Sequence, residues 1–260
     1  VISQRFAQLR AANRRALVCY ATAGHPDRAR SLALLRGLAD AGADIIEVGV
    51  PFSDPVADGP VIQSSSQQAL EQGMTLDGAL ELVAEARLDI PVVLFSYLNP
   101  ILAAGPDVLV RAKAAGVHGV LVTDLPVGAD GAREAWFGAG PLDFVRLVAP
   151  TTPRDRMAEI ARHGRGFVYL ISRLGVTGMR SDIAVSLPET IADLRSVCTL
   201  PICVGFGISN TDQARTIGAL ADGIVVGSAI VQAAERSVDE AVALTRSLRS
   251  ALDAIGPTVP

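Results

Sequence analysis

A chain of 260 residues, half of them hydrophobic but only 4% aromatic, can bury a large core, and that core has to be built from Val, Ile, Leu and Ala. The net charge is −4 and the arginines are scattered, so the chain lacks the electrostatic footprint of a nucleic-acid or anionic-membrane binder and a small-molecule ligand is expected instead. No apolar run reaches the roughly 18 residues of a membrane span, none near the N-terminus has signal-peptide character, and Cys19, Cys198 and Cys203 share no metal-like spacing; a cytoplasmic protein with free thiols is expected.

The first predicted element is an amphipathic helix over Ser3 to Ala12. Short apolar runs rich in β-branched residues then recur at Leu17 to Thr22, Asp44 to Gly49, Val92 to Ser96, Gly119 to Val122, Phe144 to Val148, Gly166 to Ile171, Pro201 to Val204 and Gly223 to Val226. Between them, segments such as Ala29 to Ala41, Leu76 to Arg87, Pro106 to Ala115, Asp130 to Phe137, Pro153 to His163, Pro188 to Val197 and Thr211 to Leu220 space their apolar residues three and four apart, as helices do. Alternation of this kind fits an open doubly wound sheet as well as a closed barrel; eight strands at this length decide for a (β/α)8 TIM barrel, with the first helix capping its bottom. No linker or low-complexity tract divides the chain, so one domain over residues 1–260 is expected. Gly42 and Gly116, each just before a strand, read as left-handed helix C-caps.

Barrel chemistry belongs to the loops after the strands, which directs attention to polar residues at strand ends. Glu47 lies inside the apolar run Asp44 to Val50, where an unpaired carboxylate costs several kcal/mol unless it faces a polar cavity or takes a proton. It is either a catalytic acid or base or a carboxylate bonded to backbone amides. The following loop, Pro51 to Pro60, holds three prolines and two acids, as a preshaped functional loop does. Asp58 is placed to reach the site from its far end, and Asp54 to cap a turn, although either acid is also an ordinary turn residue. Gly205-Phe206-Gly207 after the seventh strand and Gly227-Ser228 after the eighth match the usual barrel phosphate site, where backbone amides and a helix N-terminus hold the anion. The glycine-containing stretch Ser172 to Arg180 reads as a lid.

What the sequence lacks narrows the chemistry. Lys113 is the only lysine and falls in a helical segment, which excludes a Schiff-base lysine at a strand end. His25, His118 and His163 form no cluster suited to a metal-dependent aldolase, and no strand is followed by a Gly-x-Gly-x-x-Gly turn. Carboxylate acid–base chemistry on a phosphorylated substrate remains.

The stretch EVGVPFSDPVADGPVIQ, Glu47 to Gln63, resembles the signature of the tryptophan synthase alpha subunit family. The segments TDLP (Thr123 to Pro126), YLISRLGVTG (Tyr169 to Gly178), GFGIS (Gly205 to Ser209) and GSAIV (Gly227 to Val231) resemble the same family in the same order, so the likeness spans essentially the whole chain. The resemblance implies cofactor-independent retro-aldol cleavage of indole-3-glycerol phosphate, with Glu47 shuttling protons and Asp58 holding the indole N–H. It implies an active-site role for Tyr169, lid closure through Thr177, and phosphate contacts from Gly178, Gly207, Gly227 and Ser228, with Gly205 shaping the turn. Phe206, Leu121 and Tyr20 are candidates to sandwich the indole ring, and Tyr20 and Leu121 are equally candidates for plain core. The partner implied is a beta subunit carrying pyridoxal phosphate, in an alpha2beta2 complex. The alternatives are a free-standing indole-3-glycerol phosphate lyase and a non-catalytic phosphate-binding barrel, the latter of which has no need of the two acids.

Overall fold

Eight parallel strands close on themselves in chain order: β1 (Ala16–Thr22), β2 (Ile45–Gly49), β3 (Val92–Ser96), β4 (Gly119–Val122), β5 (Asp143–Val148), β6 (Val168–Ile171), β7 (Ile202–Gly205) and β8 (Gly223–Val226), with β1 paired to both β2 and β8. The structure is a computed structural model, described over residues 1–172, 187–205 and 207–256. Among these residues the helices are α1 (Ile2–Ala11), α2 (Arg28–Asp40), α3 (Pro60–Glu71), α4 (Leu76–Ala86), α5 (Leu98–Ala103), α6 (Val108–Ala114), α7 (Gly131–Ala139), α8 (Arg154–Arg162), α9 (Leu187–Val197), α10 (Thr211–Gly218), α11 (Ser228–Arg236) and α12 (Val238–Asp253). Strand, helix and strand follow one another around the ring, the (β/α)8 barrel expected from the alternating pattern.

The strands are buried on both faces, and their period of two divides the apolar residues into two cores. Leu17, Cys19, Ile46, Val48, Leu94 and Val120 pack outward under the helices. Val18, Ile45, Val93, Leu121, Val145 and Phe167 fill the barrel itself. Helix α1 joins that inner core through Ile2, Phe6 and Leu9, and the rings of Phe6 and Phe167 lie 5.8 Å apart. Each such side chain contributes about 1.5–3 kcal/mol on burial, which is why a short N-terminal helix stays docked across the barrel bottom.

A buried charge cluster secures the same end. The Asp44 carboxylate accepts hydrogen bonds from the Leu17 amide at 2.8 Å, Arg5 Nη2 at 2.6 Å and Arg249 Nη1 at 2.8 Å. It thereby ties α1 and α12 to the first two strands. Gly42 and Gly116 have φ of +100° and +98°, the left-handed conformation expected of them as helix C-caps.

Candidate active site

Strand alternation places Glu47. Ile46 and Val48 are committed to the helix layer, so the residue between them must face the barrel interior, at the level of Tyr20 on β1 and Val93 on β3. There it is 1% exposed, and its Oε1 has no hydrogen-bond partner among the described residues. Burial without a compensating donor penalises the ionised form and pushes the carboxyl up to about 8. Glu47 is therefore protonated at neutral pH and equipped to act as a general acid.

The second acid is held by a residue outside the sequence-derived set. Tyr97, the first residue after β3, donates its hydroxyl hydrogen to Asp58 Oδ2 at 3.0 Å and accepts from the Ala57 amide at 2.9 Å. Phe52 packs on the same ring with centroids 4.9 Å apart. The loop is closed from below by the Asp58 amide on the Pro55 carbonyl, 3.0 Å, and from the side by Gln63 Nε2 on the Asp58 carbonyl, 2.9 Å. Pro60 then starts α3 at a position where the missing N–H is of no consequence. Asp58 is half-buried and burial raises its carboxyl above the ordinary range, while the Tyr97 hydrogen bond opposes that rise. Asp54, in the same loop, is exposed. The position of Tyr97, a polar aromatic residue at the functional end of a strand, was the available signal for it.

Tyr169 stands on β6 in register with Cys203 of β7 and reaches across toward the end of that strand. A Cβ on Gly205 would overlap the Tyr169 hydroxyl, and a Cβ on Gly49 would overlap that of Tyr20. Only glycine admits these two phenols. Gly205 is therefore not part of the turn, as the sequence suggested; it is the last residue of β7, paired with Ile171 and Val225. Burial raises both phenols above their ordinary value, opposed at Tyr20 by the Thr22 hydrogen bond, so each keeps its proton at neutral pH.

An apolar wall surrounds Tyr20. Its ring meets Phe95 edge to face at 5.3 Å, and Ile62 of α3 and Val231 of α11 complete the cluster. Leu121 has no exposed surface and belongs to the inner core on which Phe95, Leu147 and Tyr169 rest. Phe95, Ile62 and Val231 were not singled out from sequence, because an apolar residue in a strand or helix carries no mark that distinguishes pocket from core.

Strands β7 and β8 are neighbours, so the loops that follow them meet at the same barrel end. Gly207 is exposed there with φ +83°. Gly227 is the N-cap of α11 and supplies no side-chain hydrogen bond, which leaves the first-turn amides at Ser228 and Ala229 open to an anion. Thr177, Gly178 and Phe206 lie outside the described residues. Among the described residues no three His, Cys, Asp or Glu side chains gather as a metal-binding group, and no helix is long and apolar enough to cross a membrane.

The chain and its barrel are similar to known proteins. Residues 6–254 match the family model described as tryptophan synthase alpha chain. The chain belongs to the tryptophan synthase alpha chain family. It is similar to the curated tryptophan synthase alpha chains of Geobacter sulfurreducens, 48% identical over 90% of each chain, and Chromobacterium violaceum, 49% identical over 92% of each. Among solved structures it resembles tryptophan synthase subunit alpha from Legionella pneumophila, with TM-score 0.89 and 32% identity over 97% of this chain and 98% of that one. It likewise resembles a chain of Mycobacterium tuberculosis tryptophan synthase, with TM-score 0.88 and 36% identity over 96% and 97%. Membership makes the chain a lyase of tryptophan biosynthesis built on a TIM barrel.

Proposed function

We propose that the chain cleaves indole-3-glycerol phosphate into indole and D-glyceraldehyde 3-phosphate by an acid–base retro-aldol reaction, with Glu47 and Asp58 as the catalytic pair. The observation that carries this reading is the buried carboxyl of Glu47, its Oε1 without a partner among the described residues, inside a barrel whose rim presents a second acid, Asp58. Glu47 delivers its proton to the ring carbon that bears the glycerol phosphate chain, and positive charge spreads to the indole nitrogen. Asp58 accepts a hydrogen bond from the indole N–H and stabilises that charge. The Glu47 carboxylate then takes the proton of the adjacent hydroxyl. The carbon–carbon bond breaks, its electron pair returns to the ring as neutral indole, and the hydroxyl carbon leaves as the aldehyde. The protonated ring thus acts as the electron sink, so the step requires no lysine imine or metal. Tyr169 lies beside this path as a protonated phenol.

The phosphate binds at Gly207, Gly227 and Ser228, and the indole ring packs against Tyr20 and Phe95; the resemblance adds Gly178 as a further phosphate contact, Phe206 for the ring and Thr177 for closure, all three outside the described residues. Gly205 and Leu121 support the pocket from below. Indole then passes to a tryptophan synthase beta subunit, which carries pyridoxal phosphate, in a cytoplasmic alpha2beta2 assembly. The test is indole release from indole-3-glycerol phosphate by the purified chain, alone and with a beta subunit added. Slow release that rises sharply with the partner is expected. Fast release indifferent to the partner would make the chain a free-standing lyase, and no release under either condition would reject the lyase reading.

A further inference from the structure

The turn Thr123 to Pro126 follows β4 directly. Its Asp124 is exposed, yet Asp124 Oδ1 accepts a hydrogen bond from the Leu98 amide at 2.7 Å. Leu98 is the first residue of α5, whose N-cap, Tyr97, makes no side-chain cap bond. A capping side chain needs a short arm ending in an acceptor oxygen, and tyrosine has none within reach of its own helix. Asp124 supplies the missing cap from the neighbouring loop.

We propose that Asp124 is a positioning residue for Asp58, acting through the Leu98 amide and the Tyr97 ring. The amide it holds belongs to the peptide that joins Tyr97 to α5, so fixing it fixes the Tyr97 backbone and the direction in which its ring leaves the strand. The neighbouring bonds act in the same sense. Ser96 Oγ donates to the Tyr97 carbonyl at 2.8 Å, and the Thr123 amide donates to the Ser96 carbonyl at 3.0 Å. Tyr97 in turn holds Asp58 Oδ2 and the Ala57 amide.

A residue can position another only if it stands on something firm. The loop that carries Asp124 is anchored by Arg146 Nη1 on the Leu125 carbonyl at 3.0 Å and by the Gly128 amide on Glu134 Oε1 at 2.7 Å. Arg146 and Glu134 are themselves a buried pair, 2.9 Å apart on β5 and α7. Burial and the neighbouring Asp58 raise the Tyr97 phenol against the opposing Ala57 amide, with Asp124 the smallest contributor, and the phenol stays the donor to Asp58.

This inference rests on the reading of Asp58 as the residue that holds the indole N–H. It is tested by measuring kcat and KM for indole release with the full chain and its Asp124→Ala, Asp124→Asn, Tyr97→Phe, Asp124→Ala/Tyr97→Phe and Asp58→Asn variants. Asp124→Ala is expected to lower kcat about fivefold, the equivalent of one lost helix cap, with KM nearly unchanged. Asp124→Asn keeps an acceptor oxygen for Leu98 and recovers most of that loss. In the Tyr97→Phe background Asp124→Ala has no further effect, because its influence passes through the hydroxyl already removed. A wild-type kcat in Asp124→Ala, or a full additional loss in the double variant, would overturn the proposal. Absence of indole from the wild-type chain, or undiminished cleavage by Asp58→Asn, would instead bring down the underlying reading of the site and the proposal with it.

Discussion

Asp44 and Glu47 are three residues apart, and each is 1% exposed, yet their surroundings are opposite. At the barrel bottom Asp44 accepts from two guanidinium groups and a backbone amide. Above it, in β2, Glu47 Oε1 has no donor among the described residues. The first carboxylate has its charge compensated and acts as a structural tie. The second meets the cost of burial by holding a proton. Burial alone therefore does not distinguish the two acids; the presence or absence of donors around the carboxyl does.

The sharpest way to break this comparison is Glu47→Gln. It keeps the shape and removes the proton that moves, so cleavage should fall about 10⁴-fold, the upper end for a group that both gives and takes the proton. Stability should respond in the opposite direction. The folded-state carboxyl, at about 8, lies above its ordinary 4.5, so between these values the unfolded chain releases the proton first. Wild type then loses stability as pH rises through that window, by up to roughly 1.4 kcal/mol per unit, and Glu47→Gln does not. Urea unfolding of both proteins at pH 5 and pH 8 reads the difference; parallel losses would show that Glu47 does not hold its proton in the fold. Asp44→Ala should do the reverse, costing about 3–5 kcal/mol in urea unfolding by leaving guanidinium groups buried without their anion, while the rate per folded molecule hardly changes. A loss under about 1 kcal/mol would put the cluster in the class of exposed ion pairs. The smallest effect concerns the rim. Gly207→Asp adds a negative charge where φ is +83° and should raise KM about tenfold by repelling the phosphate. Unchanged KM would move the phosphate to another loop.

Glu47 was legible in the sequence because a carboxylate within an apolar run stands out against its neighbours. Asp44, at the edge of the same run, read only as strand, since its compensation comes from Arg5 and Arg249 at the two ends of the chain. Tyr97 was missed for a similar reason: its partner Asp58 is 39 positions away, and it is the pairing of β2 with β3 that brings the two loops together. Strand boundaries moved where backbone conformation overrode composition. Gly166 was expected to open β6 but has φ +85°, and the strand begins at Val168. Helix α3 was not assigned because its buried face includes Ser65 and Ser66, so its apolar spacing is sparse. Ser65 is buried because its hydroxyl lies 2.7 Å from that of Thr22 on β1, a pairing with no trace in local periodicity.

The filled barrel also governs molecular traffic. Around and below Glu47 the barrel is filled by side chains that include Val18, Ile45 and Val93, and α1 packs into the same core with Ile2 and Phe6. Among the described residues there is no bore from one end to the other. A molecule formed beside Glu47 must therefore depart from the rim by which its precursor arrived, and a partner that takes up indole without releasing it to water has to dock over that rim.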